Sequence, residues 1–274
     1  AHELTAILAN NQLSLNCQPV AATADAARTP LYYEVLLHPT AQGERSIATR
    51  DLIVVAERLQ RITEIDRWVV RHVLQWMRTH SDTLARIGGL SINLLGDSYS
   101  LTFSPAFDRI DWHDKILGGQ RGFDTATGSL NGMVRFPGKF YAVGLASYQY
   151  TREKLIPGDQ LFSIGGPTTV RGYPTNTAAG DSGYYFNAEL HRDLSDWVKG
   201  LDAYVFIDSG AVYSTSPART QLDSSGVGAS WTPVAALTLE ANVSVPWRGV
   251  VPNQSRVEFY GRVSFRPLAL LDVK

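Results

Sequence analysis

Arg171 and Asp208 are the residues of this sequence whose types and positions most clearly suggest a specific contact. Arg171 follows Val170 and precedes Gly172 and Tyr173 in a loop rich in glycine and proline. Asp208 lies further along the chain, in an alternating segment that is typical of a strand. A guanidinium and a carboxylate form a directional, bidentate ion pair that is costly to leave half made. We therefore expect Arg171 to bind Asp208.

The segment around Asp208 places this aspartate on the polar face of its strand, because successive side chains point to opposite faces. The apolar positions are Leu201, Ala203, Val205, Ile207 and Ala211. The opposite face carries Asp202, Tyr204, Phe206 and Asp208. A loop that lies against this second face brings its arginine within reach of the carboxylate.

These two motifs resemble those of the two-partner-secretion transporters of the haemolysin-activator/FhaC type, which are outer-membrane β-barrels of the Omp85 superfamily. The match is SIGGPTTVRGY, residues 163–173, followed by FIDSG, residues 206–210. In that family a long extracellular loop folds back into the barrel lumen, and its arginine pairs with the aspartate of the second motif. The resemblance implies a contact between loop and barrel formed by Val170, Arg171, Gly172, Tyr173, Phe206, Asp208 and Gly210.

Alternation through the second half of the chain predicts about eight antiparallel strands. Their predicted ranges are 128–136, 139–150, 160–165, 183–192, 201–213, 224–232, 236–246 and 256–265. A water-soluble β-sandwich also alternates, with its apolar residues inward. A membrane barrel is favoured because the polar faces suit a wet lumen and aromatic residues lie near strand ends, where interface girdles form. These aromatic residues are Tyr148, Tyr150, Tyr213, Trp231 and Trp247.

Composition sets further bounds on the chain. The 274 residues carry a net charge of -1, which does not indicate a nucleic-acid surface. The lone cysteine, Cys17, excludes an internal disulfide framework. No signal peptide and no initiating methionine are visible, so we expect the N-terminus to be a fragment or a processed end. All 10 phenylalanines lie at or after Phe103, which indicates two unrelated segments joined near residue 100.

The first segment reads as an α/β arrangement. Strands are predicted at 12–20, 31–37 and 90–94, and Pro39 is expected to end the second strand. Helices are predicted from a cap at Thr49 to about Arg61, and from about Glu64 to His80. A strand, a helical crossover and a further strand favour parallel pairing.

This segment resembles the start of an EAL domain, a TIM-barrel-like phosphodiesterase that hydrolyses cyclic di-GMP with two divalent metal ions. The matching motifs are QPV at 18–20, YEVLLH at 33–38, AERL at 56–59, IDRWV at 65–69 and SINL at 91–94. The resemblance implies that Glu34 and Asn93 occupy metal-ligand positions, for Mg²⁺ or Mn²⁺, and that Gln18 occupies a substrate-contacting position. Carboxylate and amide oxygens suit such hard cations, and paired metal ions activate water.

The segment also departs from that family. His38 stands where the family has a phosphate-contacting arginine, and the later metal ligands and the catalytic lysine have no counterpart. A (β/α) barrel builds its site from a closed ring of strands. We therefore expect Glu34, Asn93 and Gln18 to be relics, with no catalysis, no cofactor and no binding of cyclic di-GMP.

The sequence thus predicts a mixed fold, a truncated α/β EAL fragment followed by an all-β transmembrane half-barrel. The predicted domains are an EAL fragment at 1–98, a junction at 99–118, the C-terminal part of the barrel at 119–266 and a tail at 267–274. The resemblance implies passage of a secreted client protein across the outer membrane, in contact with its lipid, through a pore that this chain forms incompletely. The alternatives are a degenerate EAL module that binds or cleaves cyclic di-GMP, and a non-functional fusion of two gene fragments. An EAL segment belongs in the cytoplasm, which conflicts with the location of the barrel.

Overall fold

A computed structural model describes residues 5–7, 12–20, 32–40, 48–59, 61–80, 83, 87, 89–96, 98–113 and 120–266. The chain divides into two compact units, Ala1–Gly128 and Ser129–Lys274. Residues 114–119 of the predicted junction and the predicted tail, 267–274, lie outside the described residues. In the described part of the chain, no helix combines the length and the apolar composition that membrane crossing requires.

The first unit is a small α/β sheet. Its elements are β1 (Leu13–Val20), β2 (Tyr32–Pro39), α1 (Thr49–Arg58), α2 (Ile62–Thr79), β3 (Leu90–Gly96), β4 (Tyr99–His113) and the start of β5 (Gln120–Phe136). Strands β1 and β2 are antiparallel, β2 and β3 are parallel, and β3 and β4 are antiparallel. The parallel pair follows from the two helices, because a helical crossover returns the chain to the same end of the sheet.

Apolar residues at helical spacing form the core of this unit. In α2, Ile65, Val69 and Val73 recur every four residues and are buried against the sheet. Leu52 and Ala56 of α1 join the same cluster. This periodicity is the feature of the sequence that predicted both helices.

The start of α1 corrects one prediction. The N-cap residue is Ala48, whose side chain makes no capping hydrogen bond, and Thr49 is the first residue of the helix. The Thr49 hydroxyl instead donates to the backbone oxygen of Leu37 at 3.2 Å. The predicted cap at Thr49 is therefore wrong, because the side chain serves to join the helix to β2. The helix also ends earlier than predicted, at Arg58.

The second unit is an antiparallel sheet. After the end of β5 come β6 (Phe140–Thr151), β7 (Phe162–Ile164), β8 (Ala178–Gly180), β9 (Ser182–Asp193), β10 (Leu201–Tyr213), β11 (Arg219–Val234), β12 (Leu237–Pro246) and β13 (Glu258–Phe265). From β5 onward the strands follow the order β5-β6-β9-β10-β11-β12-β13, and these strands are here called the main sheet. The turn between β5 and β6 has positive φ at both Gly138 and Lys139, 80° and 63°, which is the geometry of a tight hairpin.

The predicted strand at 160–165 is not part of this sheet. Only Phe162–Ile164 is extended there, and it pairs with β8 in a separate two-stranded sheet. Gly165 and Gly166 follow at φ 107° and 99°, which turns the chain out of the strand. These residues therefore begin a loop, and the segment between β6 and β9 folds on itself.

The polarity of the main sheet is the reverse of that in a water-soluble sandwich, because its apolar face is exposed and its polar face is buried. In β10 the apolar residues Val205 and Ile207 are 51% and 48% exposed, whereas Phe206 and Asp208 on the other face are 3% and 0% exposed. A sandwich would bury the apolar face instead. The alternative of a water-soluble sandwich does not fit this arrangement.

Candidate functional site

The loop between β7 and β8 is closed by its own hydrogen bonds. The backbone N–H of Gly165 donates to the Thr169 hydroxyl at 2.8 Å, and that of Gly166 donates to the backbone oxygen of Val170 at 3.1 Å. Val170 is fully buried in a small apolar cluster that includes Ile164 and Leu222. The loop is thereby held against β10 and β11, with Arg171 next in the chain.

Arg171 and Asp208 form a bidentate ion pair. The Nε and Nη2 groups of Arg171 donate to Oδ2 and Oδ1 of Asp208, each at 2.7 Å. The backbone N–H of Arg171 donates to Oδ2 as well, at 3.0 Å. Asp208 is fully buried and Arg171 is 7% exposed, so the pair is shielded from water. The contact expected from the sequence is present.

Two further groups complete the surroundings of the guanidinium. Nη1 of Arg171 donates to Oε1 of Glu189 at 2.6 Å. The guanidinium carbon also lies 3.5 Å from the centre of the Phe206 ring, in a cation-π contact. Arg171 therefore pairs with two carboxylates and lies over an aromatic ring on the same face of the sheet.

Tyr173 attaches the loop to the next strands. Its hydroxyl donates to the backbone oxygen of Asp223 at 2.8 Å and accepts from the backbone N–H of Arg248 at 3.2 Å. Gly172 has φ 83°, and a Cβ at that position would lie 3.2 Å from the backbone nitrogen of Pro246. A side chain at residue 172 would meet both backbone strain and a close neighbour.

Gly210 leaves room for the loop. A Cβ at this position would lie 2.9 Å from the backbone oxygen of Tyr184 and 3.2 Å from Cγ2 of Val170. The structure therefore brings together every residue of the contact that the sequence suggested, in strand β10 and in the loop.

A polar network beyond Arg171 was not identified as part of the site from the sequence. His191 contacts Oε2 of Glu189 through Nε2 at 2.9 Å, and Oδ1 of Asp202 through Nδ1 at 2.6 Å. The Tyr141 hydroxyl donates to the other oxygen of Asp202 at 2.9 Å. Tyr204 stacks on the His191 ring at 4.8 Å. The alternation of β9 was the available signal, since it places Glu189 and His191 on one polar face.

The expected relic ligands of the first unit are also in contact. The Asn93 amide donates to Oε1 of Glu34 at 2.5 Å, and the Thr102 hydroxyl donates to Oδ1 of Asn93 at 2.9 Å. Gln18 lies directly opposite Glu34 in the register of β1 and β2. Among the described residues, no group of three or more His, Cys, Asp or Glu side chains could hold a metal ion.

Asp66 is a half-buried carboxyl group of the first unit with a raised pKa. The Tyr99 hydroxyl of β4 donates to Oδ2 of Asp66 in α2. Burial raises the pKa of Asp66 above its ordinary value of 3.8, and the hydrogen bond from Tyr99 offsets only part of that effect. Burial and the neighbouring carboxylate also raise the pKa of Tyr99.

Two segments of this chain match known family models. Residues 102–232 match the family described as haemolysin secretion/activation protein ShlB/FhaC/HecB, and residues 1–114 match the EAL domain family. No curated protein matches the chain. The matched ranges overlap within β4, a strand that the sequence left in an unassigned junction.

Two solved structures share the fold. CdiB from Escherichia coli aligns with a TM-score of 0.54 and 21% identity, over 65% of this chain and 35% of that chain. CdiB from Acinetobacter baumannii aligns with a TM-score of 0.50 and 19% identity, over 63% of this chain and 31% of that chain. This chain thus spans about a third of the length of either CdiB chain. One segment of the chain is similar to the EAL family and a later segment is similar to the ShlB/FhaC/HecB family, and the predicted mixed fold is confirmed.

Proposed function

We propose that strands β5 to β13 form part of an outer-membrane pore through which a secreted client protein passes in two-partner secretion. The observation that carries this proposal is the buried pair of Arg171 and Asp208, which fixes a loop to the polar face of a sheet whose other face is apolar and exposed. A sheet with this polarity suits lipid on one side and a wet passage on the other.

The loop is proposed to shape that passage. Arg171 contacts β9 and β10, and Tyr173 contacts β11 and the segment after β12, so the loop bridges several strands of the wall. Ion pairs shielded from water are directional and resist rearrangement. An unfolded client would move past a fixed obstacle by diffusion, without nucleotide hydrolysis.

Exposed aromatic side chains support a lipid partner. Tyr150, Tyr213, Trp231 and Trp247 are 57%, 40%, 40% and 58% exposed, and each lies at or near the end of a strand. Amphipathic rings at such positions are typical of the membrane interface. We propose that they anchor the sheet at the level of the lipid head groups.

Closure of the pore is proposed to need strands beyond those described. Only closed sheets satisfy all backbone groups within lipid. In the described part of the chain, β13 pairs with β12 on one side and ends the strand order on the other. Further strands, from another chain or another segment, would complete the ring.

The test of the pore is insertion followed by conductance. The chain is reconstituted into lipid vesicles, examined for heat-modifiable gel migration, and then measured in planar bilayers. We expect stable insertion, and discrete conductance steps once strands of a second copy complete the ring, with Asp208→Ala giving larger and noisier currents because the loop leaves the passage. Glu153→Ala, an exposed acid outside the loop contact, is the matched control. A chain that stays soluble without detergent, or that shows no heat-modifiable form, would contradict the proposal.

The alternative function is an EAL module, and the contact between Glu34 and Asn93 is the observation that favours it. We propose that this module does not hydrolyse cyclic di-GMP, since two ligand positions do not make a two-metal site. Hydrolysis that depends on Mg²⁺ or Mn²⁺ would overturn this and would place the active segment in the cytoplasm. The third alternative, a non-functional fusion of two gene fragments, is tested by the reading frame of the source DNA around residues 97–115.

A further inference from the structure

A small cavity lies between the inserted loop and the last two strands of the second unit. Its volume is about 290 Å³. The loop side is formed by Pro167 and Arg171 to Thr175, and the strand side includes Asn242, Ser244, Glu258 and Tyr260. This volume is near the lower limit of small-molecule pockets, about 300 Å³, and suits a single side chain better than a whole cofactor.

The strand side of the cavity belongs to the polar face of the sheet. In the register of β12 and β13, Asn242 lies opposite Tyr260 and Ser244 lies opposite Glu258. Side chains of directly opposed residues project to the same face of an antiparallel pair. Because Asn242 and Ser244 are 4% and 2% exposed, that face is the one covered by the loop.

Two acceptor groups at this cavity lack a donor. Oδ1 of Asn242 is buried and has no hydrogen-bond partner, although buried amide oxygens are nearly always paired. Among the described residues, no side chain donates to the Glu258 carboxylate. By contrast, Glu240 on the neighbouring strand receives Arg262 at 2.5 Å. The unused hydrogen-bonding capacity is therefore that of acceptors.

The local charge also favours a cation. Arg171 is the basic residue of the cavity wall, but its guanidinium is shared between Asp208 and Glu189. The charge of Arg171 is therefore already compensated, and Glu258 adds a negative charge at the cavity that no described side chain pairs. Tyr173 and Tyr260 add aromatic surface, which attracts cations through the face of the ring.

We propose that this cavity binds the guanidinium or ammonium group of a basic side chain. Asn242 and Glu258 accept its hydrogen bonds, and the tyrosines flank its apolar stem. The basic side chain belongs to the client polypeptide as it passes the loop. That identification rests on the proposed function, whereas the preference for a cation rests on the cavity alone.

The test uses the full chain in detergent micelles and four small probes. N-acetylarginine amide and N-acetyllysine amide carry the proposed cations, while N-acetylnorleucine amide and N-acetylglutamate amide carry an apolar and an acidic side chain. Binding is measured by isothermal titration calorimetry. We expect saturable binding of the two basic amides and none of the other two at the same concentrations.

A charge-removing variant of the same shape locates the site. Glu258→Gln should weaken binding of the arginine amide at least about tenfold, as loss of a charged hydrogen-bond partner does. Glu153→Gln removes the same charge from an exposed loop outside the cavity and should leave the affinity unchanged. Heat-modifiable migration verifies that each variant is folded.

The outcomes separate this inference from the proposed function. Equal binding of the norleucine amide, or unchanged affinity in a folded Glu258→Gln variant, would overturn the cation site. Equal weakening by Glu153→Gln would overturn it too, since the effect would then come from overall charge. Binding of the basic amides by a chain that forms no pore would keep the cation site and remove only its assignment to a client.

Discussion

Arg171 illustrates how one side chain can determine the position of a whole loop. Its guanidinium contacts Asp208, Glu189 and the ring of Phe206, three groups that lie on two adjacent strands. Each group is on the polar face, so a change in strand register by one residue would remove all three from reach. The contact therefore specifies register as well as loop position.

Replacing Arg171 alone should destabilise the folded protein more than replacing both Arg171 and Asp208. Arg171→Met leaves a fully buried carboxylate without its partner, and breaking a buried pair in this way costs about 3–5 kcal/mol. The double variant Arg171→Met/Asp208→Leu should recover much of that loss. Urea unfolding in micelles measures both, with Arg152→Met on an exposed segment as the control. A single variant as stable as the control would contradict the role of the pair.

Gly172→Ala tests the loop backbone separately from its charges. The left-handed φ of 83° and the nearby backbone of Pro246 predict that this change lowers the free energy of unfolding by about 1–3 kcal/mol. Gly144→Ala is the matched control, because a Cβ there meets nothing within 4 Å. Protease cleavage within residues 165–177 reports release of the loop. Equal cleavage rates in the two variants would mean that residue 172 tolerates a side chain.

At the scale of elements, alternation and helical periodicity predicted most strands and both helices, but not where each one ends. The helices of the first unit follow from residues spaced by one turn, such as Ile65, Val69 and Val73. The segment 160–165 was predicted as a sheet strand because its composition suits one. Two glycines with positive φ and the hydrogen bonds of the loop override that preference, and neither could be judged from the strand pattern.

Some residues of the candidate site could be predicted from the sequence and others could not. Asp208 was found through a motif, since Arg171 and its strand partner both lie in recognisable sequences. Glu189 and His191 carry no motif, and only the pairing of β9 with β10 brings them beside Asp202 and Asp208. Tertiary pairing of this kind is not visible in one strand read by itself.

The contact between α2 and β4 predicts a pH dependence of the first unit. Because burial raises the pKa of Asp66, the folded state favours the protonated acid. Stability from this group is present below the ordinary pKa of 3.8 and is lost as pH rises through the raised value in the folded state. Unfolding followed by circular dichroism at several pH values should show this loss.

Asp66→Asn should remove that dependence while keeping an acceptor for the Tyr99 hydroxyl. Above the raised pKa of Asp66, the variant should be more stable than the parent. Between pH 3.8 and that raised pKa, its stability should not fall. Asp51→Asn in the first turn of α1, where the carboxylate is exposed, is the control. A parent whose stability is level through this range would contradict the assignment.

For the molecule as a whole, the reversed polarity of the main sheet gives the sharpest distinction between a membrane wall and a soluble surface. Val205 lies mid-strand on the apolar face and is about half exposed. In lipid, Val205→Arg should cost about 2–4 kcal/mol, falling to about 0–1 kcal/mol for Tyr213→Arg at the strand end. On a soluble surface both changes would stay within about 0.5 kcal/mol. Unfolding in lipid vesicles decides between them.

The two family matches agree with the two resemblances that the sequence suggested, except at the join between them. Short motifs predicted both segments, the expected metal-ligand positions in the first and the loop and strand motifs in the second. Strand β4 carries no such motif, so residues 99–118 were left as a junction. Family matches from both sides extend into this strand.

The partners of the inserted loop lie at steadily increasing sequence separations. Arg171 reaches Glu189 across 18 residues and Asp208 across 37, while Tyr173 reaches Asp223 across 50 and Arg248 across 75. Contacts that close shorter segments cost less chain entropy and form sooner. The loop would thus first contact the strands that directly follow it in the chain, and it would form further contacts as each later strand is added. The loop would then act as an internal template during assembly, against which the later wall is built.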